Sequence, residues 1–433
     1  MFQLHETTRR SLCRAGFCLA CLLPTGIVLG YSALVNAPLH VAGSKRQLAS
    51  LLGLEVSLAD VSHPRPGVTL YHGLEVADPD TGRRLLSCRL LEAGRSSGGL
   101  VLTASQPVIH PDAMPRLGQW LLARLRRQTA GWQTPLDLSP CDVTWQSPGG
   151  PQTFTGVSGY LESAGRKDTL SLRFTLAGIE MPEPARLRLV RGRGGSSAAT
   201  RFDLSTGGTP LPCSLASPLA DTASWLGPRS RFNGRFWADD ARGDWQGELT
   251  GLFSEIDLDA LVTDHFPHRL SGTAQLEVRE AVFDQGRLTL AAGKLTAGPG
   301  LVSRSLLASA RDQLRMPAAD LPSPDDPLPF AELAVGFAMD GQQLQLGGLC
   351  QSGSQGAALV DDRTRVLLSQ PDHSQGVVQL VRMLVPASQV QVPASRETDA
   401  LVRRLPVPSL MPPVPDDRAQ PEPSARLRVK PQR

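Results

Sequence analysis

Lysine is almost missing from this chain. It stands at Lys45, Lys167, Lys294 and Lys430 and nowhere else in 433 residues, so nearly all the positive charge is arginine, the bias a GC-rich coding sequence produces. The net charge is only +3, with no basic stripe, which argues against a nucleic-acid binder. Aromatic residues make up 5%. Glycine (41) and proline (36) are frequent instead, and such a chain favours strands and turns over long helices.

Catalytic signatures are lacking as well. Ser158 in "TGVSGY" and Ser354 in "SGSQG" each miss a glycine of the nucleophile-elbow pattern. "RGRGG" (Arg191–Gly195) completes no phosphate-binding loop and reads as a solvated turn. Asp239, Asp240, Asp244 and Glu248 are carboxylates in a hairpin of turn composition, a poorer match to paired glycosidase acids than to solvated charge. Asp257, Asp259, Asp264, His265 and His268 crowd into "EIDLDALVTDHFPHRL". Pro267 spoils a regular ligand pair there, and Asp257 and Asp259 suit capping of a short helix. No catalytic residue, metal or cofactor is expected.

Seven cysteines are present. Cys13, Cys18 and Cys21 belong to the N-terminal segment, where the C-x-x-C sits in an apolar run. Cys88, Cys141, Cys213 and Cys350 lack metal-ligand spacing, and the sequence leaves open whether and how they pair.

Ala15–Val35 contains no charge: "AGFCLACLLPTGIVLGYSALV". As a helix it would reach about 32 Å, enough to cross a bilayer, with Pro24 as a kink. Arg9, Arg10 and Arg14 precede it, which places residues 1–14 in the cytoplasm and the body beyond the membrane. A cleaved signal peptide is the rival, but Pro38 directly follows the best cleavage site, Val35-Asn36-Ala37. An uncleaved anchor is the better reading.

Past the anchor, "SKRQLASLLG" predicts a helix with Ser44 as N-cap and Gly53 as its stop, and Pro111–Gln128 predicts a second. Alternating strands dominate the rest. "GVTLYHGLEVADPDTGRRLLSCRLLEA" reads as two strands about an Asp78–Gly82 turn. "GTAQLEVREAVF" turns at Asp284-Gln285-Gly286, and Leu288 and Leu290 continue its apolar side. "ELAVGFAMDGQQLQLGG" turns at Asp340-Gly341. Short helical stretches fall at Ser214–Trp225, Leu258–Phe266, Leu301–Leu314 and Gly376–Leu384. These are antiparallel strands with one dry face. Roughly sixteen of them at ~4.8 Å would extend about 80 Å if the sheet were continuous.

The body therefore runs over 36–316, followed by a Pro-rich linker (317–329), a second β/helical segment (330–404) and a disordered Pro/Arg tail (405–433). The apolar face is carried by Leu276, Val278, Leu288, Leu290, Val335 and Phe337, the expected lipid-contacting set.

Two stretches carry a family likeness. One is the anchor followed by "LASLLGLEVSLADVSHPRPGVTLYHGLEVADPDTGRRLLSC". The other runs from "RFNGRFWADDARGDWQGELTGLFSEIDLDALV" through "LSGTAQLEV" to "GRLTLAAGKLTAGPGLVSRSLL". Together they resemble the AsmA-like family over about half the chain. The resemblance implies one helix in the bacterial inner membrane with its N-terminus cytoplasmic, and a mainly β, elongated, groove-like periplasmic body. It further implies a non-enzymatic role in envelope biogenesis, with the bilayer and a phospholipid or similar cargo as partners, and an envelope protein as another. The alternative is an envelope scaffold with a closed β-sandwich body and a partner-binding tail.

Overall fold

The computed structural model describes residues 6–35, 38–111, 113–126, 135–147, 150–164, 167–192, 199–216, 221–241, 244–319, 327–385 and 405. Strand accounts for 54% and helix for 22%, so the chain is mainly β.

No helix among the described residues is long and apolar enough to cross a membrane. The apolar run falls on three consecutive segments: the end of α1 (Glu6–Phe17), a π-turn at Cys18–Leu22, and α2 (Leu23–Val35). Pro24 has no N–H to offer the carbonyl four residues before it, and the backbone widens just ahead of it. The Thr25 hydroxyl donates to the Cys21 carbonyl at 2.7 Å.

Helix α3 spans Pro38–Leu52, so Ser44 lies inside it and is not its cap. Proline suits a first helical turn, where its missing N–H costs nothing. Gly53 stops the helix as expected, with φ +67° and its N–H bonded to the Ala49 carbonyl.

The strands build one 21-stranded sheet. Strands β1 (Glu55–Ser57) and β2 (Asp60–Arg65) lie end to end against β3 (Val68–Ala77). β3 turns at Asp78–Gly82 into β4 (Arg84–Ser96), which pairs with both β5 (Gly99–Ser105) and β6 (Val108–Ile109). Helix α4 (Ala113–Arg126) then crosses over to β7 (Leu136–Ser147), which pairs parallel with β5 and β6. The sheet is thus not wholly antiparallel, because a helical crossover returns the chain in the same direction.

An antiparallel meander follows: β8 (Gly150–Ala164), β9 (Lys167–Leu176), β10 (Ala185–Gly192), then β11 (Thr200–Ser205) and β12 (Leu211–Pro212) end to end on β13 (Arg231–Ala241). It continues through β14 (Asp244–Asp257), β15 (Thr273–Asp284) and β16 (Arg287–Ala297). A separate pair, β17 (Gly300–Val302) and β18 (Leu328–Phe330), flanks α5 (Arg304–Leu314).

Strand β19 (Glu332–Asp340) rejoins the ladder directly on β16, so the sheet continues across the 317–329 segment. Within that segment Ala318 bridges to Leu368 and Leu328 opens β18, while 320–326 lie outside the described residues. The far edge holds β20 (Gln343–Gly348), β21 (Ala357–Val360), β22 (Val366–Ser369) and β23 (Gln375–Gly376), then α6 (Val377–Leu384). Of the tail, only Leu405 is described. At ~4.8 Å per strand step the ladder measures about 70 Å across, and its first and last strands do not pair with each other.

The other helical stretches are shorter than the sequence suggests. Leu258–Phe266 yields one π-turn at Asp259–Thr263, and Ser214–Trp225 yields short 3-10 turns at Cys213–Leu215 and Asp221–Leu226, with 217–220 outside the described residues.

Helices cap both ends of the ladder. At the first, Leu48, Leu52, Leu117 and Trp120 pack on the buried Val56, Leu74, Val76 and Leu85. The Trp120 indole donates to the Leu52 carbonyl and ties α4 to α3. At the other, Leu306, Leu307, Ala310 and Leu314 of α5 pack on Ile256, Ala274 and Ala297, with Leu380, Met383 and Leu384 of α6 beside them.

A candidate apolar trough

Between the capped ends, residues opposite one another across adjacent strands share a face. One row of such partners starts at Leu102 and passes through Leu138, Gly159, Leu172, Leu187, Leu204 and Phe236. It continues through Leu249, Ala281, Ala291 and Met339 to Leu344. Every member is apolar, and only Gly159 lacks a side chain. A second row two residues along the strands joins Leu100, Leu136, Leu161, Leu170, Leu189 and Phe202, and reaches Ala238.

Between those ends, Leu172, Leu187, Leu204 and Phe236 are half-buried and belong to none of the four hydrophobic clusters among the described residues. Leu189 of the second row is buried, at 3% exposed. The opposite face is polar: Arg173 and Arg186 face each other, and Arg188 lies between Ser171 and Asp203.

Five of the six residues named from the sequence lie on this face, at its helix-capped end. Val278 is buried, and Leu276, Leu288 and Phe337 pack around it with Leu380 and Leu405. Val335 faces Leu295. Leu290 is the exception. The ladder pairs Val282 with Leu290 but Phe283 with Leu288, which leaves Thr289 as a bulge and turns Leu290 to the polar face, opposite Asp340.

The chemical candidates are dispersed. His265 stacks on Trp225, with ring centroids 4.4 Å apart. The buried His268 is bonded through Nδ1 to the Ser305 hydroxyl (3.0 Å) and through Nε2 to the Met383 carbonyl (2.9 Å). Asp257 accepts the Asp259 N–H, as a turn cap does. Asp239 and Asp240 lie within β13, not in a turn, and as strand neighbours they point to opposite faces. The Glu248 carboxylate accepts the Trp237 indole N–H on the polar face. Ser158 sits opposite Arg173 within the ladder, and Ser354 accepts the Ala357 N–H in a turn. Among the described residues no three His, Cys, Asp or Glu side chains gather as a metal site.

Cys88, Cys141, Cys213 and Cys350 are free thiols. Burial pushes Cys350 up to about 11, with the neighbouring Glu332 carboxylate adding to the rise.

A cavity of about 500 Å³ lies at the first capped end, lined by Asp78, Asp80, Arg83, Leu85, His110 and Arg116 among others. Arg116 of α4 bonds both Asp78, at 3.0 Å, and Asp80. Burial would raise the Asp78 carboxyl, but the hydrogen bonds from Arg116, the Asp80 N–H and Thr81, together with the Arg116 charge, outweigh it and hold the carboxyl below its usual value.

Alternation in "TLSLRFTLAG" already puts Leu170 and Leu172 on one side of their strand; that Leu187 and Leu204 line up with them is set by the register alone. Sequence reading missed that Arg191 belongs to the end of β10.

Comparison with family models, with curated proteins and with solved structures finds no match.

Proposed function

We propose that this is a membrane-anchored, non-enzymatic envelope protein of AsmA-like type, whose sheet shields the acyl chains of a lipid along its apolar rows. The observation that carries this reading is the unbroken apolar row from Leu102 to Leu344, half-buried and outside every core cluster in its middle. Each methylene laid on such a surface gains about 0.8 kcal/mol over water. The bilayer anchor is Ala15–Val35. In support, helical residues follow one another without a gap from Glu6 to Val35, and Phe17, Leu19, Leu22, Leu23, Ile27, Val28 and Leu29 are all more than half exposed. Such a run of bare apolar side chains needs lipid or protein around it. The basic residues ahead of it orient the body into the periplasm.

The alternative, a scaffold with a closed sandwich, needs a second sheet facing the rows. Among the described residues the only other sheet is the β17–β18 pair.

The test is site-specific photocrosslinking in membranes at Leu187, on the apolar face, and at Arg188, on the polar one. Lipid adducts at Leu187 and none at Arg188 are expected. Adducts at neither position, with no lipid co-purifying in mild detergent, would overturn the reading.

A further inference from the structure

On the side of the sheet away from the apolar rows, the register lines up a row that contains no carboxylate. Ser158 faces Arg173, Arg173 faces Arg186, Arg186 faces Ser205, Ser205 faces Arg235, and Arg235 faces Thr250. Each arginine adjoins a member of the first apolar row (Leu172, Leu187 or Phe236) along its strand, and so points to the other face. All three are exposed. Arg173 and Arg186 stand directly opposite each other, an arrangement that costs stability when the charges are alike. Little in the fold offsets that cost. Among the described residues Arg173 and Arg235 make no ion pair, and Arg186 meets only Glu183, at 3.9 Å, with both side chains more than half exposed. The adjoining row runs Tyr160, Ser171, Arg188, Asp203, Trp237 and Glu248. Its carboxylates are already engaged: Asp203 by Arg201 at 3.2 Å, and Glu248 by the Trp237 indole N–H at 3.1 Å.

We infer that this face docks an acidic segment of a partner protein, whose carboxylates lie on Arg173, Arg186 and Arg235. The inference goes beyond the lipid reading and does not depend on it, because it uses the opposite face. Charge selects the occupant first. Guanidinium and hydroxyl groups alone line the row, and a guanidinium offers a planar fork that matches a carboxylate. A carboxylate between Arg173 and Arg186 would relieve their repulsion, so docking gains what the free sheet gives up. Composition comes second. Tyr160 is exposed beside the row and Trp237 half-buried; tyrosine, tryptophan and arginine supply most of the binding energy at protein interfaces. Size comes third. From β8 to β14 the two rows cover five strand steps, about 24 Å, and lie about 7 Å apart. That suits a linear segment better than a domain, whose interface takes about 800 Å² from each partner.

The test uses the full-length protein in mild non-ionic detergent. The probe is a fluorescein-labelled peptide of about twelve residues alternating Glu and Ser, with its Gln-Ser counterpart as control, and binding is read by anisotropy. The wild type is expected to bind the Glu peptide over the Gln peptide, less tightly as salt rises. Arg173→Gln, Arg186→Gln and Arg235→Gln each weaken it about tenfold, the loss expected for one charge-assisted hydrogen bond. Arg279→Gln, at an exposed arginine of β15, changes nothing. Arg173→Glu with Arg186→Glu turns the preference to a Lys-Ser peptide, which separates docking from a folding defect. Arg186→Gln leaves the unfolding midpoint unchanged or raises it, because one of two facing like charges is gone. Equal binding of the Glu and Gln peptides, or three row variants that behave as Arg279→Gln does, overturns the inference. Capture of phosphatidylglycerol mixed micelles by these arginines, with no binding of the Glu peptide, assigns the row to an anionic bilayer and overturns it too.

Discussion

His268 and Met383 are 115 positions apart, yet the imidazole Nε2 lies 2.9 Å from the Met383 carbonyl oxygen. A carbonyl only accepts, so Nε2 carries the proton and Nδ1 takes the Ser305 hydroxyl hydrogen. The Ser309 hydroxyl donates to the same carbonyl at 2.7 Å. These bonds tie the last turn of α6 to α5 over the C-terminal end of the sheet.

Burial lowers the pKa of His268 below 6.5, and the bond to Met383 offsets only part of that. The folded state therefore binds its proton less readily than the unfolded chain. The stability this neutral imidazole supports is complete above the unfolded value and is lost as pH falls through 6.5 toward the lowered folded value. Thermal unfolding followed from about pH 7.5 to 5.5 should show a falling midpoint, and His268→Gln should flatten that slope. A slope of equal size in the variant would place the titration elsewhere.

At the opposite end, Asp78→Asn removes the charge that Arg116 meets. The expected result is faster proteolysis within α4, with the distal sheet unaffected. Because the folded Asp78 carboxyl sits below its ordinary value, the wild-type contact is intact at neutral pH and is lost as pH falls through that lowered value. Limited proteolysis across an acidic pH series, read by peptide mass, checks both statements.

Gly293 in β16 lies under an aromatic ring. A Cβ on Gly293 would meet the Glu277 carbonyl oxygen, and would come within 2.8 Å of the Phe337 ring. Gly293→Val should cost about 1–3 kcal/mol by overpacking. Denaturant unfolding measures it, and a change below ~0.5 kcal/mol would mean that both the Glu277 backbone and the Phe337 ring can give way.

Cys350 should resist alkylation. With its thiol held at about 11, roughly one molecule in a thousand carries the thiolate at pH 8. Iodoacetamide should modify it only after denaturation. Burial is the larger cause, so Glu332→Gln should speed native labelling only modestly; rapid labelling of the wild-type protein would show that the thiol is open to solvent.

Central substitutions separate packing from cargo contact. Leu187→Asp and Leu204→Asp replace half-buried side chains outside the core clusters. Both should leave the unfolding midpoint nearly unchanged while abolishing lipid retention. Val278→Asp, in the buried cluster under α6, should instead lower the midpoint sharply.

Much of the fold was legible because alternation and turn chemistry act locally. Asp284-Gln285-Gly286 and Asp340-Gly341 turn where their composition says, with Gln285, Gly286 and Gly341 at positive φ. Gly53 ends α3 for the same backbone reason. The helix starting at Pro38 was misread because Ser44 offers a plausible cap that the chain does not use. The parallel pairing of β7 was hidden because it depends on where α4 delivers the chain.

What the sequence alone determined is the two-residue period: a greasy and a wet side for each strand, set by the pleat. Which greasy sides meet was decided by the tertiary structure, because register belongs to pairs of strands. One bulge at Thr289 sends Leu290 away from Leu288, and the unbulged pairing from β9 to β13 brings Leu172, Leu187, Leu204 and Phe236 into line.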